Sequence, residues 1–554
     1  MKVTLLAKIQ AATCSTALAL MTGAVVAGAS GCAPPVLNVQ VQLATATCGG
    51  TNPLTNGQVV RFTVFGPNIN STNFQTSSTV MSGMATIPAI PLKSNASTVA
   101  NIVAEVLDAN QNVLSRGETG PITLNGKATT LASTIFLRTV NSFVPAVPTA
   151  GGNCTTMQSA RIAHTATVLE NGNVLIAGGY TWEGTTQRWL NSTEIYNPQT
   201  GAISTGPNMS TNRAYHTATH IPGTNFTLIV GGENALVGNS SGGALDTAEI
   251  FDEQAQMFAL LPPLPVSISN GITRHTAAVP LPAADGSSGT PGIVFILGGQ
   301  DYKGNPIRHV EAYTPSMGLL DTGIEFDEGR TEATAVPIPC GVLLLGGWGG
   351  TAAPYGPLKD VTGVNAPDCA SFAKWSGAVS LANPHLFPLA ARLGDGSILA
   401  MDGFLTMDVN SILEHASNAV DRLAPSFEST SNVTMNIPPD KRGFGIGVGL
   451  LDGTMLVAGG GDQPMNGNPS ASQTGAIMYV HSGAVAYRNI MSPMKDARIG
   501  AAAVLLNDGT VFISGGYKFD SNEAPVAVTS IDIYQPEYQI SISADSSTPH
   551  LQIQ

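Results

Sequence analysis

The chain of 554 residues has material for two or three domains and a large core. Its 61 Gly and 36 Pro, with only 11% charged residues, suit turn-rich β structure and argue against helix bundles. A net charge of −13 and the lack of a basic patch argue against nucleic acid or an anionic membrane surface as partner.

The N-terminus, "MKVTLLAKIQAATCSTALALMTGAVVAGASGC", carries Lys2 and Lys8 and then runs uncharged and largely apolar to Cys32. A positive start, an apolar stretch and small residues before a cut site predict a secretory signal over residues 1–31. The competing reading is a retained transmembrane anchor, but Thr, Ser and Gly dilute the run and no basic stop follows. Ala29-Ser30-Gly31-Cys32 resembles the lipobox of bacterial lipoproteins, in which the cysteine is acylated and becomes the first mature residue. Ala33 follows it without the Asp that often retains such proteins at the inner membrane. The resemblance implies a lipid anchor at Cys32 and an outer-membrane or cell-surface location; plain secretion is the alternative.

With Cys14 removed and Cys32 lipidated, Cys48, Cys154, Cys340 and Cys369 remain. An even count in an exported protein permits disulfides, and four cysteines allow three pairings. Proximity favours Cys340–Cys369, which leaves Cys48–Cys154 to tie the N-terminal domain to the next one. Between residues 32 and 145, "LNVQVQLATATC", "QVVRFTVFGP", "MATIPAI", "ANIVAEVLDANQNVLSRGE" and "ATTLASTIFLRTV" read as short strands separated by Gly, Asn and Pro. They predict a small β-sandwich. The pattern resembles immunoglobulin-like and prealbumin-like spacer domains.

From residue 146 to 554 one phrase recurs. "RIAHTATVLENGNVLIAGGY" at Arg161 returns at Arg213, Arg274, Arg330, His385 and Arg442, and as "RIGAAAVLLNDGTVFISGGY" at Arg498. Each copy predicts two strands. Asn171-Gly172, Asp395-Gly396, Asp452-Gly453 and Asp508-Gly509 lie between them as tight turns in which both central residues take positive φ. The second strand ends in a glycine pair: Gly178-Gly179, Gly231-Gly232, Gly298-Gly299, Gly346-Gly347, Gly459-Gly460 and Gly515-Gly516, with Asp402 replacing glycine in the His385 copy. A third strand holds Tyr196, Phe251, Tyr313, Tyr479 or Tyr534, and a Pro/Met segment such as "PNMSTNR" leads to the next copy. A strand ending in Gly-Gly, a Tyr near "NPQTG" and a "PMKDAR"-type segment together resemble the kelch repeat. The resemblance implies an all-β fold with a kelch-type β-propeller of seven blades, or six if the His385 copy is not a blade. Closure is expected from "SFVPAVPTAGGNCTTMQSAR" pairing near Tyr534, with "QISISADSS" as the competing closing strand.

No catalytic, metal or cofactor residue is assigned. His164 and His216 sit three residues after the repeat arginine and read as structural rather than as metal ligands. Galactose oxidase and its relatives also use kelch propellers and hold copper with Tyr and His. Here His481 stands alone and His550 is in the tail. The arginines at Arg161, Arg213, Arg274, Arg330, Arg442 and Arg498 read as one repeat position rather than a sialidase triad. Two insertions after glycine pairs carry Trp182 and Trp189, and Trp348 and Tyr355. These four are the candidate ligand-binding residues, on one face of the ring. The expected function is a cell-envelope binding module for a surface protein or polysaccharide, not an enzyme. The alternative is a carbohydrate-active enzyme, an oxidase or a mutarotase-type isomerase. An ordered acid/base pair in the central funnel would favour the enzyme, and an apolar plug the binder.

Overall fold

Alternation of apolar residues sets up the N-terminal strands. In a computed structural model, residues 36–537 are described apart from short stretches, chiefly 45–47, 49–51, 70–73, 80–83, 93–97, 125–133, 149–152, 236–242, 284–291 and 406–411. Cys14, Cys32 and "QISISADSS" lie outside the described residues. The chain forms two units. One holds Asn52–Arg138 with the preceding strand; the other holds Ala46–Thr51 and Thr139–Tyr538. Among the described residues the helical content is two 3-10 turns, Val266–Ile268 and Ile412–His415. No helix there is long and apolar enough to cross a membrane.

In the first unit, Val36–Ala44 pairs antiparallel with Met84–Pro91 and parallel with Thr134–Phe136. A second sheet is built on Val59–Phe65 and Thr98–Leu107. Val39, Val41 and Leu43 of one sheet share a core with Val60, Phe62, Val64, Ile102, Ala104 and Val106 of the other. The period of two buries these side chains and leaves their neighbours for the outer faces.

The second unit is a succession of antiparallel sheets, six of four strands and one whose outer strand is split in two. The first is Thr165–Val168, Val174–Ala177, Thr193–Asn197 and Ala202–Thr205. The His385 copy forms a full sheet of the same kind, Leu389–Arg392, Ile398–Met401, Val420–Leu423 and Thr430–Val433. The last sheet takes its fourth strand from the other end of the unit. Ser142–Pro145 pairs with Ile531–Gln535, Phe143 opposite Tyr534. The first strand of each sheet lies against the first strand of the next, and that of the last against that of the first. Among the described residues no sheet closes on itself; contacts between sheets make a propeller-like ring.

The glycine pairs lock that ring. Their first residues hold φ between 56° and 65°, and Asp402 holds 59° in the same role. The second residue of each pair donates its N–H to the carbonyl that begins the next copy. Gly179 reaches Arg213, Gly232 reaches Ile272, Gly299 reaches Arg330 and Gly347 reaches His385. Gly403 reaches Arg442, Gly460 reaches Arg498, and Gly516 returns to Arg161. A Cβ on Gly178 would stand 2.3 Å from the Arg213 carbonyl oxygen, so the close approach requires glycine there.

The repeat arginine ties together the copies that carry it. Buried Arg161 donates to the Gly178 and Ser192 carbonyls and pairs with Glu194 at 3.0 Å. Arg213 does the same with Gly231, Thr247 and Glu249. His385 substitutes in its copy, contacting the Asp402 carbonyl and Asp421. Two expectations are corrected here. Arg274 does not occupy this position, which Ile272 takes: Gly232 bonds to the Ile272 carbonyl, where the other pairs bond to Arg or His. The Asn/Asp-Gly turns do not have two residues at positive φ. Gly172 is left-handed but Asn171 is not. Gly172 N–H donates to Leu169, and the Asn171 side chain accepts from Asn173 N–H, a type I turn followed by a glycine bulge.

The missing arginine has a consequence. Glu311 faces Ile296 as Glu194 faces Ile176, is fully buried, and is bonded by Ser267 Oγ at 2.6 Å. Burial pushes its carboxyl up to about 7 from 4.5; the Ser267 bond pulls it down and Asp321 adds to the rise. A pKa raised on folding gives stability that is complete below the unfolded value and is lost as pH rises through about 7. Glu311→Gln is therefore expected to stabilise by roughly 1–3 kcal/mol at pH 8 and much less at pH 4. Paired denaturant melts of the two proteins check this; an equal difference at both pH values would contradict it.

Candidate functional site

Two residues beyond the position of the repeat arginine, each copy has a residue with left-handed backbone. These are Ala163, Tyr215, Arg274, Glu332, Phe387, Phe444 and Gly500, with φ from 52° to 64°. Outside glycine this conformation is uncommon. Here a chain of bonds between copies supports it. Tyr215 N–H donates to the Ala163 carbonyl, Arg274 to Tyr215, Glu332 to Arg274, Phe387 to Glu332, and Gly500 to Phe444. All seven line one cavity of about 430 Å³ at the centre of the ring. The backbone repeats, and the side chains do not.

The polar arc of the cavity is Tyr215, Arg274 and Glu332. The Arg274 guanidinium lies 4.0 Å from the Tyr215 ring centroid, a stacking contact that suits a weakly hydrated planar cation. It pairs with Glu332 at 2.8 Å and, more loosely, with buried Glu233 at 3.6 Å. Burial pushes Glu332 up to about 7, against the pull of Arg274. Glu233 is raised by burial too, again with Arg274 opposing. Burial pulls on Arg274 in the other direction, but Glu332, Tyr215 and Glu233 outweigh it and hold the guanidinium protonated. The apolar arc is Phe387 and Phe444, edge to face with centroids 4.4 Å apart. Tyr180 and Tyr517 complete the wall. Burial raises both phenols, which keeps them neutral.

His164, His216 and His275 form part of the same lining, each bonded to an adjacent sheet. Nε2 of His164 meets Ser514 Oγ at 3.0 Å, that of His216 meets Thr165 Oγ1 at 3.1 Å, and that of His275 meets Thr217 Oγ1 at 2.8 Å. Burial lowers His164 and His275 to about 3, and His216 falls well below its ordinary value, so all three are neutral spacers. Among the described residues no group of three or more His, Cys, Asp or Glu is arranged to hold a metal.

Trp182 and Trp189 stand on the hairpin Tyr180–Glu183 and Thr186–Trp189, half-buried against Ile162, Tyr180 and Ala214. Trp348 packs on the cluster of Leu386, Phe404 and Ile499, and Tyr355 is half-buried. These contacts give the indoles a packing role alongside any role at the rim. Cys340–Cys369, the pair favoured by proximity, and Cys48–Cys154, the pair that remains, are both disulfide-bonded, which suits an exported protein. Cys48 belongs with Cys154 to the second unit, so this disulfide lies within that unit instead of joining the two. The Arg274–Glu332 pair escaped the sequence reading. The usable signal was "AHTA", "YHTA" and "RHTA": aligning the histidines puts Ala163, Tyr215 and Arg274 in one column.

No family model matches the chain, and no curated protein matches it. Among solved structures, one titled "Structure of YjhT" matches with 14% identity and a TM-score of 0.42, over 60% of this chain and 99% of that one. So distant a likeness decides neither fold nor ligand.

Proposed function

We propose that the chain is an exported lipoprotein with a β-sandwich spacer and a seven-bladed kelch-type propeller, and that it binds a cell-surface polysaccharide through the central cavity. The observation that carries the reading is the column of seven left-handed residues. The glycine and arginine positions of the repeat serve the ring and its core in most copies, whereas this column carries Ala, Tyr, Arg, Glu, Phe and Gly around one cavity. A polar arc facing an apolar arc suits a sugar ring, which has hydroxyl edges and apolar C–H faces. A protein partner fits less well, since a concave recess of about 430 Å³ is of the size that takes a small ligand or one unit of a polymer and is not a broad flat surface. Trp182, Trp189, Trp348 and Tyr355 then serve as rim contacts for the rest of the polymer. A glycan-binding screen of the wild type and Arg274→Ala tests this. Binding at least tenfold weaker in the variant is expected, and equal binding contradicts it.

The second reading, an enzyme acting on the same sugar, has a specific observation in its favour. Glu332 near 7 beside Arg274 is placed to exchange a proton at neutral pH. Turnover that vanishes in Glu332→Gln while binding persists would decide for it.

Anchoring is a separate expectation. Cys32→Ala should move the protein from the membrane to the soluble fraction, since acyl burial contributes about 0.8 kcal/mol per methylene. A free thiol at Cys32 in the mass spectrum of the wild type would end the lipobox reading.

A further inference from the structure

Five of the seven cavity positions carry large side chains and two carry almost none. Ala163 and Gly500 are the small ones, and they belong to the first and last copies, which are neighbours where the ring closes. Directly beside them stand Tyr180 and Tyr517, bridged to Ile162 and Ile499. Arg274 and Glu332 belong to the third and fourth copies, across the ring.

The geometry points to a seat for a single neutral pyranose in the gap over Ala163 and Gly500, with uronic and other acidic sugars disfavoured. This rests on the reading that the cavity binds saccharide. The aromatic walls offer faces for the C–H side of the ring. The Arg274 N–H groups and the Glu332 carboxyl side by side match a pair of adjacent hydroxyls, one accepting from the guanidinium and the other bonding to the carboxyl. Acidic sugars need a cation with charge to spare. Arg274 has none, because Glu332 at 2.8 Å and Glu233 at 3.6 Å already face it.

The ring supplies its own plug. Phe387 and Phe444 hold φ of 52° in this column, so a phenylalanine is already compatible with the backbone there. Ala163 has φ 53°, and a Cβ on Gly500 would meet only Ile162 Cγ2, at 4.0 Å. Ala163→Phe should therefore fill the seat and leave the thermal melt unchanged, whereas Gly500→Phe fills it with a lowered melt, because Gly500 holds φ 64° and gives up glycine's freedom there.

The test measures affinity of the full-length protein for methyl glucoside, methyl galactoside, methyl mannoside, glucuronate and galacturonate. At least one neutral glycoside is expected to bind, more tightly than either uronate, and both plugs are expected to weaken it at least tenfold. Plugged proteins that bind as the wild type does overturn the seat but leave the saccharide reading standing. A uronate bound in preference overturns the ligand class. No saccharide binding to the wild type overturns both the seat and the reading beneath it. Should a plugged variant melt early, ring-proton contacts between the bound glycoside and Tyr517 in the wild type report on the same seat, and their absence overturns it.

Discussion

Arg213→Ala is expected to destabilise the second unit by about 3–5 kcal/mol. The side chain is fully buried and holds the Gly231 carbonyl, the Thr247 carbonyl and Glu249. Removing it leaves the Glu249 carboxylate buried with the Ser210 N–H as its remaining bond. The cost comes mostly from that stranded charge and less from the lost attraction. Arg213→Ala with Glu249→Leu should therefore recover part of the loss. Urea melts of the wild type, the single and the double variant would show it. A single variant within 1 kcal/mol of wild type would mean that the repeat arginine is dispensable.

Truncation after Gly516 should be more drastic. It removes Ile531–Gln535, which pairs with both Val511–Ser514 and Ser142–Pro145. Ile531, Ile533 and Tyr534 leave the core with it, and two strand edges open to solvent. The ring closes through Gly516 and Arg161, so the loss falls on the sheet that joins its ends. The expected product is aggregation-prone and lacks a cooperative melt. A soluble truncated protein with the wild-type transition would show that closure does not depend on these strands.

The sequence announced the glycine pairs because a close backbone approach admits little else, so they recur in phase. It announced the closing strand near Ser142 for a similar reason: a ring leaves an edge that something must cover. The cavity stayed hidden because its column is defined by backbone shape and not by residue type. Left-handed Ala, Tyr, Arg, Glu and Phe share nothing that a pattern search detects. Arg274 misled further, since "RHTAA" looks like the start of a repeat while Ile272 fills that place. Trp182 and Trp348 drew attention as large rings in insertions. Their packing also draws on Ala214 and on Phe404 and Ile499, which are distant from them in the chain.

The most direct measurement is a crystal structure of the protein with the neutral methyl glycoside that binds it best. The account predicts density for one sugar ring inside the cavity, within hydrogen-bonding distance of Arg274 and Glu332 and against Tyr517. Density lodged instead on the Trp182 or Trp348 hairpins, with the cavity empty, would contradict it.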